Sequence, residues 1–290
     1  MSCSQDKTLL PETLKKFELV HGIELSEPTV YIPRVKGINN EIAKLTLAPM
    51  VSYFTIHLTD EKSKRCVEWI QNNAGEPMEI SLIKGSNEIG IVRQLADSTK
   101  KHYNSIYLDK NSLSRIYGND LPVSTEFWYV KGILLYNGRP ANAKYYRDGC
   151  YAVAHDLYRA FCTELNEPEF NVCGKCAIVG DFGFRVSNCY IGWRYHIVPW
   201  FIIDDDEYKN ENFVHDRLLF DEEDELHTVD EWLSILNSFC TSSSVNEIRY
   251  VPGRYFALDE GDSWLFDDRF VVTDYIMEKY RNKRGCDPID

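Results

Sequence analysis

The sequence lacks a hydrophobic run long enough to cross a membrane as a helix. Its longest apolar stretch, residues 190–203, contains Arg194 and His196, whereas a spanning helix needs about 20 predominantly apolar residues. The first residues, Met-Ser-Cys-Ser-Gln-Asp-Lys-Thr, have neither the apolar segment nor the small-residue cleavage site of a secretory signal. We therefore expect no membrane partner, and either a cytoplasmic location or export by a signal-independent route.

Positive charge is also scarce. The chain has 32 Lys and Arg against 45 Asp and Glu, for a net charge of −13. Because binding to phosphates requires clustered Lys and Arg side chains, we expect no nucleic acid as a partner. The sequence contains no repeat, no low-complexity tract and no long Gly/Ser/Pro linker. Its 290 residues, 44% of them hydrophobic, can form one sizeable core or two modest ones.

The first part of the chain predicts a small α+β domain. Residues 45–58 are rich in apolar and β-branched side chains and indicate a strand. Thr59 is then the predicted N-cap of a helix over residues 60–73. Residues 78–92 predict a hairpin closed by Lys-Gly-Ser-Asn. We assign residues 1–122 to this N-terminal domain.

Residues 123–290 show a different pattern and are assigned to a second domain. The predicted elements are, in chain order, a strand over residues 128–136, a helix over 150–165, strands over 192–203 and 213–220, a helix over 229–239, and short strands near Tyr250 and Phe266. A helix followed by an antiparallel sheet describes a papain- or transglutaminase-like α+β catalytic domain.

Three side chains in this second domain suit nucleophilic chemistry. Cys150 follows Asp-Gly at a predicted helix start, where the helix dipole favours a thiolate and a backbone N–H can bind an oxyanion. His196 lies on a predicted strand as a candidate general base, and Asp216 lies on the next strand, where it could orient the imidazole. Asp204 and Asp206 are alternative carboxylates. A lone cysteine at a helix start, or a lone histidine on a strand, is nevertheless more often a core residue.

Three segments resemble motifs of the bacterial protein-glutamine glutaminases, also called protein-glutamine deamidases. Residues 148–155, Asp-Gly-Cys-Tyr-Ala-Val-Ala-His, are similar to the Cys-Tyr-Ala-x-Ala-His of the family's catalytic cysteine. Residues 193–197, Trp-Arg-Tyr-His-Ile, resemble its histidine motif, Trp-x-Tyr-His-Val. Residues 214–220, Val-His-Asp-Arg-Leu-Leu-Phe, resemble its aspartate segment, Ile-Asp-Pro-Ser-Leu-Phe. The resemblance covers about residues 134–280, in the family's order.

The resemblance implies a triad of Cys150, His196 and Asp216 that needs no metal and no organic cofactor. The implied reaction converts side-chain glutamine in a protein or peptide to glutamate, releasing ammonia through a cysteine thioester. The chain departs from the family at Val153, where a basic residue is expected, and at Arg217, which replaces a proline. The residues expected to form the substrate cleft are Gly149, Tyr151, Trp193 and Tyr195.

Several alternatives remain open at this point. A transglutaminase or a cysteine protease would use the same triad, and a non-catalytic protein-binding module could keep the fold without the chemistry. Cys173 and Cys176 have the spacing of a zinc-ligand pair but lack a second close pair, so we expect no metal. In the family a pro-region precedes the catalytic domain and blocks its cleft, and residues 81–92 resemble such a region faintly. We interpret residues 1–122 either as pro-region-like or as a permanent substrate-binding or structural domain.

Overall fold

The computed structural model describes residues 14–100, 122–136, 148–165, 172–186, 189–220, 225–258, 264–267, 269–283 and 287. The strands of this part of the chain are β1 (Lys16–Glu18), β2 (Thr29–Ile38), β3 (Ile42–Ala48), β4 (Tyr53–His57), β5 (Met78–Leu82), β6 (Ile89–Gln94), β7 (Gly174–Val186), β8 (Cys189–Ile203), β9 (Glu211–Val214), β10 (His227–Thr228), β11 (Ser242–Pro252), β12 (Tyr255–Leu258) and β13 (Trp264–Phe266). The helices are α1 (Glu61–Asn72), α2 (Phe127–Tyr136), α3 (Cys150–Leu165), α4 (Val229–Phe239) and α5 (Val271–Lys279).

The first six strands form one antiparallel sheet in the order β1-β6-β5-β2-β3-β4. The predicted hairpin within residues 78–92 is confirmed as β5 and β6. The single strand predicted over residues 45–58 is wrong, because the chain turns back after Ala48 and forms the β3–β4 hairpin. Pro49 lies at this turn, as expected of a residue that cannot donate a backbone hydrogen bond to a sheet.

Helix α1 packs against this sheet through its buried residues Cys66, Val67 and Ile70. Its N-cap is Asp60 and not the predicted Thr59. The Asp60 carboxylate accepts a hydrogen bond of 2.7 Å from the backbone N–H of Ser63, which satisfies one of the unpaired donors of the first turn.

The second sheet contains five antiparallel strands in the order β10-β9-β8-β7-β11. Helix α3 packs against β8 and against α5. The predicted combination of helices with antiparallel sheets is therefore confirmed, whereas the closer likeness to papain and transglutaminase stays a prediction. The strand predicted over residues 213–220 is too long, since β9 ends at Val214.

The strand predicted over residues 128–136 is wrong, because this segment lies in helix α2. Val130, Ile133 and Leu134 are buried, whereas Trp128 is 75% exposed. Burial at positions i, i+3 and i+4 is the spacing of one helix face. Most residues of the segment are apolar, so the hydrophobic pattern of the sequence does not reveal the helical spacing of the buried ones.

The two sheets share a hydrophobic core. One cluster of buried side chains includes Leu47 and Phe54 from the first sheet together with Phe184 and Trp193 from the second. The predicted division of the chain at residues 122 and 123 stays a prediction. Within the described ranges, none of the helices has the length and apolar character needed to cross a membrane.

Candidate active site

Cys150 is the first residue of helix α3, and the residue before it must be glycine. Gly149 has a φ of +97°, in the left-handed region, and a Cβ added there would lie 3.2 Å from the Tyr280 ring. The Gly149 carbonyl accepts hydrogen bonds of 3.0 Å from the backbone N–H groups of Ala152 and Val153, which starts the helix. This arrangement places a partly exposed free thiol at the positive end of α3.

His196 and Asp216 form a buried pair beside this thiol. His196 Nε2 lies 2.8 Å from Asp216 Oδ2, and each residue is only 1% exposed. His196 is on β8, whereas Asp216 follows the end of β9, the neighbouring strand. The alternative carboxylates, Asp204 and Asp206, are exposed in the turn between these two strands.

Four donors hold the Asp216 carboxylate in place. Oδ2 accepts from His196 and also from the indole Nε1 of Trp232, at 2.8 Å. Oδ1 accepts from the backbone N–H groups of Leu218 and Leu219, at 3.0 and 3.3 Å. The bonds to Oδ1 close a tight turn, which is why the strand ends before Asp216.

The charges of the site favour a protonated His196. Burial by itself would lower the pKa of His196, but the charge of Asp216, the neighbouring Cys150 and the hydrogen bond to Asp216 raise it to about 10. Burial would likewise raise the pKa of Asp216, yet the charge of His196 and the surrounding hydrogen bonds hold it below its ordinary value. Since Nε2 contacts Asp216, Nδ1 is the ring nitrogen that remains available within the cleft. The arrangement is that of a cysteine in one cleft with a buried imidazole, which a carboxylate orients.

A cleft opens over these three side chains. Its walls include the predicted residues Gly149 and Trp193. The Trp193 indole stacks on the His196 imidazole with ring centroids 4.8 Å apart, which fixes the plane of the imidazole. Tyr151 and Tyr195, also predicted to form the cleft, are fully buried behind its walls and do not line it.

Asp148 lies at the edge of the cleft and connects distant parts of the chain. Its Oδ2 accepts hydrogen bonds from Tyr151 Oη (2.7 Å) and Tyr280 Oη (2.9 Å), and its Oδ1 accepts one from the Val51 backbone N–H (3.2 Å). Burial raises the pKa of Asp148, and these hydrogen bonds oppose that shift. Asp148, two positions before the nucleophile, is therefore a hydrogen-bond acceptor whose side chain is held in a fixed position.

The turn between β3 and β4 enters the cleft. Val51 lines the cleft together with Cys150 and His196, and it is 1% exposed. The Arg194 N–H donates a 2.8 Å hydrogen bond to the Val51 carbonyl, and Ser52 forms an antiparallel bridge with Trp193. The turn between two strands of the first sheet thus contributes Val51 to the cleft that contains the nucleophile.

Helix α3 is fixed further along by a buried polar contact. Lys175 Nζ, on β7, lies 2.6 Å from His155 Nδ1 and also donates to the carbonyl of Tyr255. Burial, reinforced by the Lys175 charge, lowers the pKa of His155 well below its ordinary value. The neutral imidazole accordingly accepts from Lys175, so His155 has a packing role one turn beyond the nucleophile.

The structure therefore brings the predicted Cys150, His196 and Asp216 to one cleft, and it adds residues that the sequence analysis missed. These are Val51, Asp148, Arg194, Trp232 and Tyr280. Asp148 could have been suspected from its position beside the nucleophile. Arg194 lies within the motif of residues 193–197, two positions before His196, whereas Val51, Trp232 and Tyr280 come from other segments of the chain. Among the described residues, no group of three or more His, Cys, Asp or Glu side chains is placed to hold a metal ion.

This geometry defines a mixed α/β protein with antiparallel sheets and a Cys-His-Asp cleft, and solved structures share its fold. A crystal structure of pro-protein-glutaminase aligns with a TM-score of 0.69 at 20% identity, covering 94% of this chain and 95% of that one. A mutant of pro-protein-glutaminase aligns with the same TM-score and identity, covering 95% and 96%. No protein-family model matches the sequence, and no curated protein matches it. The resemblance inferred from the motifs is thus confirmed at the level of the fold.

Proposed function

We propose that this protein is a protein-glutamine deamidase that acts on glutamine side chains of proteins or peptides. The observation that carries the proposal is the position of Cys150 at the start of α3, in one cleft with the hydrogen-bonded pair of His196 and Asp216. Two independent lines support it, namely the motifs at residues 148–155, 193–197 and 214–220 and the fold shared with pro-protein-glutaminase.

The reaction follows from the charges of the site. The Cys150 thiolate attacks the carbon of the side-chain carboxamide, and backbone N–H groups at the start of α3 bind the oxyanion. Protonated His196 gives its proton to the departing nitrogen, so that the C–N bond breaks, ammonia leaves and a thioester remains. Neutral His196 then takes a proton from water, whose oxygen attacks the thioester, and the C–S bond breaks to release glutamate. Asp216 orients the imidazole throughout.

We further propose that the N-terminal region is pro-region-like and closes this cleft. Val51 lines the cleft together with Cys150, and hydrogen bonds to its own N–H and carbonyl hold the turn there. In this proposal the turn narrows the approach of a substrate side chain to Cys150. The position of Val51 in the cleft favours this role over the alternative in which residues 1–122 assist substrate binding.

Ammonia release from casein tests the proposed function. The full chain is compared with Cys150→Ala and with Val51→Arg, which should displace the turn because it adds a cation beside protonated His196. Val245→Arg, on the exposed strand β11, is the matched control. We expect ammonia and a mass gain of about one dalton per event, strongest with Val51→Arg and absent with Cys150→Ala.

The other outcomes identify the alternatives. Incorporation of an added primary amine, in place of hydrolysis, would indicate a transglutaminase. Chain cleavage would indicate a protease. If Val51→Arg has a thiol that iodoacetamide alkylates and yet produces none of these products, the protein is a binding module and the proposal is wrong.

A further inference from the structure

Strand β11 forms one edge of the second sheet in the part of the chain that the structure describes. It pairs with β7 on one side, and no described strand lies beside its other side. Residues 242–248 are all exposed, so the protein covers neither face of this part of the strand. An open edge presents a row of backbone donors and acceptors, which can pair with a strand of another chain.

One face of β11 is apolar. Val245, Ile248 and Tyr250 are 40%, 36% and 39% exposed. They lie opposite alternate residues of β7, so their side chains share one face of the sheet. The bulge between Val245 and Glu247 keeps Val245 on this face, because Asn246 is the extra residue in the strand. A row of exposed apolar side chains on an open edge indicates a surface that another chain covers.

The other face of β11 has two charges of opposite sign. Arg249 Nη2 lies 2.6 Å from Glu247 Oε2, and the Glu247 side chain is 51% exposed. Two antiparallel copies of one strand are related by a two-fold axis that relates one residue to its own counterpart. With this axis at Ile248, Glu247 of each copy lies opposite Arg249 of the other. Opposite charges in directly opposed positions stabilise an antiparallel pair of strands.

The charges also disfavour the neighbouring positions of the axis. With the axis at residue 247, the two Glu247 side chains would face each other, and with the axis at residue 249, the two Arg249 side chains would do so. Directly opposed like charges destabilise a strand pair. With the axis at Ile248, the apolar face is continuous as well. The two Ile248 side chains are opposed, and Tyr250 of each copy lies beside the bulge of the other.

We propose that this protein forms a homodimer in which β11 pairs with β11 of a second copy, antiparallel and about a two-fold axis at Ile248. The two five-stranded sheets then join into one continuous sheet. The interface is isologous, so each copy contributes the same charges and the same apolar side chains. None of the described residues that line the active-site cleft belongs to β11. Substitutions on this strand therefore leave the chemistry of the cleft unchanged, and the inference does not depend on the proposed function.

Reversal of the charges tests the pairing. Glu247→Arg places two positive charges opposite each other in both pairs, and Arg249→Glu places two negative charges there. We expect the dissociation constant of the dimer to rise at least about tenfold in each variant. An equimolar mixture of the two variants should recover the dimer, because every charge then faces its opposite. The double variant, Glu247→Arg with Arg249→Glu, should also dimerise, because exchange of the two charges preserves both pairs.

Sedimentation velocity of the full chain, over a range of protein concentrations, gives these dissociation constants. The matched control is the ion pair of Lys16 and Glu18, which are 3.3 Å apart on β1, the edge strand of the first sheet. Lys16→Glu and Glu18→Lys reverse charges in the same way and should leave the dimer unchanged. Thermal unfolding shows whether each variant is folded.

A wild-type chain that stays monomeric up to about 1 mM would overturn the proposal. Single variants that dimerise as well as the wild type would do the same. A mixture of two folded variants that fails to recover the dimer would show that Glu247 and Arg249 are not opposed. The Arg249 side chain is only 19% exposed, so Arg249→Glu could lower stability. In that case the double variant decides, because it restores both pairs and must dimerise where Glu247→Arg does not.

Discussion

The indole Nε1–H of Trp232 donates a 2.8 Å hydrogen bond to Asp216 Oδ2 in the buried interior of the protein. The same oxygen accepts the hydrogen bond from His196. Trp232 is fully buried on α4, so this helix sets the position of the carboxylate. Trp232 is a positioning residue in this arrangement, because it acts on the imidazole through Asp216.

Trp232→Phe keeps an aromatic ring in the core and removes the N–H donor. Because hydrogen bonds to charged groups contribute about 1.5–3 kcal/mol, we expect kcat/KM to fall about tenfold or more. Trp200→Phe is the matched control, since Trp200 is also buried and donates its indole N–H to Asn212 at 2.9 Å, outside the triad. Both variants should lose some stability in thermal unfolding. An equal loss of activity in the two would show that Trp232 acts only through stability.

Asp216→Asn should impair both stability and activity. The carboxylate accepts from two donors on each oxygen, whereas an amide has one oxygen. Whichever way the amide is turned, its NH₂ group faces two N–H donors, which costs about 1–3 kcal/mol for each buried donor left unpaired. We expect a lower midpoint in urea unfolding and a large loss of kcat. A variant as stable as the wild type would contradict the hydrogen-bond pattern described above.

The protonation of His196 can be followed directly by NMR of protein labelled with ¹⁵N-histidine. Because its pKa is raised to about 10, the imidazole should stay protonated through neutral pH and lose its proton only in alkaline solution. The reaction needs this proton for the departing ammonia, so the alkaline limb of the activity profile should follow the same titration. His196→Gln assigns the resonance. A titration near the ordinary histidine pKa would refute the ion pair.

The reactivity of Cys150 reports on the turn that lines its cleft. We expect Val51→Arg to accelerate alkylation of Cys150 by iodoacetamide by at least about tenfold, because a buried cation beside protonated His196 is strongly unfavourable. Val245→Arg adds the same charge at a residue that is 40% exposed, and it should leave the rate unchanged. Peptide mapping identifies the modified thiol. If both variants react at the wild-type rate, the turn does not limit access.

Local patterns predicted the elements that lie close to the nucleophile. The sequence predicts a helix over residues 150–165 after the Asp-Gly pair, and the structure has it with the same bounds. The helix over residues 229–239 was predicted equally well, and its Thr228 cap is paired with Glu231. Capping and periodicity are encoded within a few residues, which is why sequence reading succeeds for such elements.

The wrong secondary-structure predictions concern segments whose conformation depends on tertiary contacts or on side-chain hydrogen bonds. Residues 128–136 were read as a strand because of their aromatic and β-branched composition, although the spacing of Val130, Ile133 and Leu134 is helical. The predicted strand over residues 213–220 includes Asp216, whereas the observed strand ends before it. The hydrogen bonds from the backbone N–H groups of Leu218 and Leu219 to the Asp216 side chain end the strand, and a hydrophobic pattern does not show them. The contacts of Asp148 join segments far apart along the chain, which no local signal could reveal.

The attachments of Asp148 have a consequence for the order in which the protein folds. Two of its three hydrogen-bond partners are distant: Val51 lies 97 residues before it and Tyr280 lies 132 residues after it. Contacts between such distant positions carry a high entropic cost of loop closure and tend to form late in folding. On the ribosome, the nucleophile cannot acquire its complete surroundings until residue 280 has left the exit tunnel. By then the segment that contains Val51 has long been available to fold, so Val51 can take its place in the cleft as soon as the cleft forms.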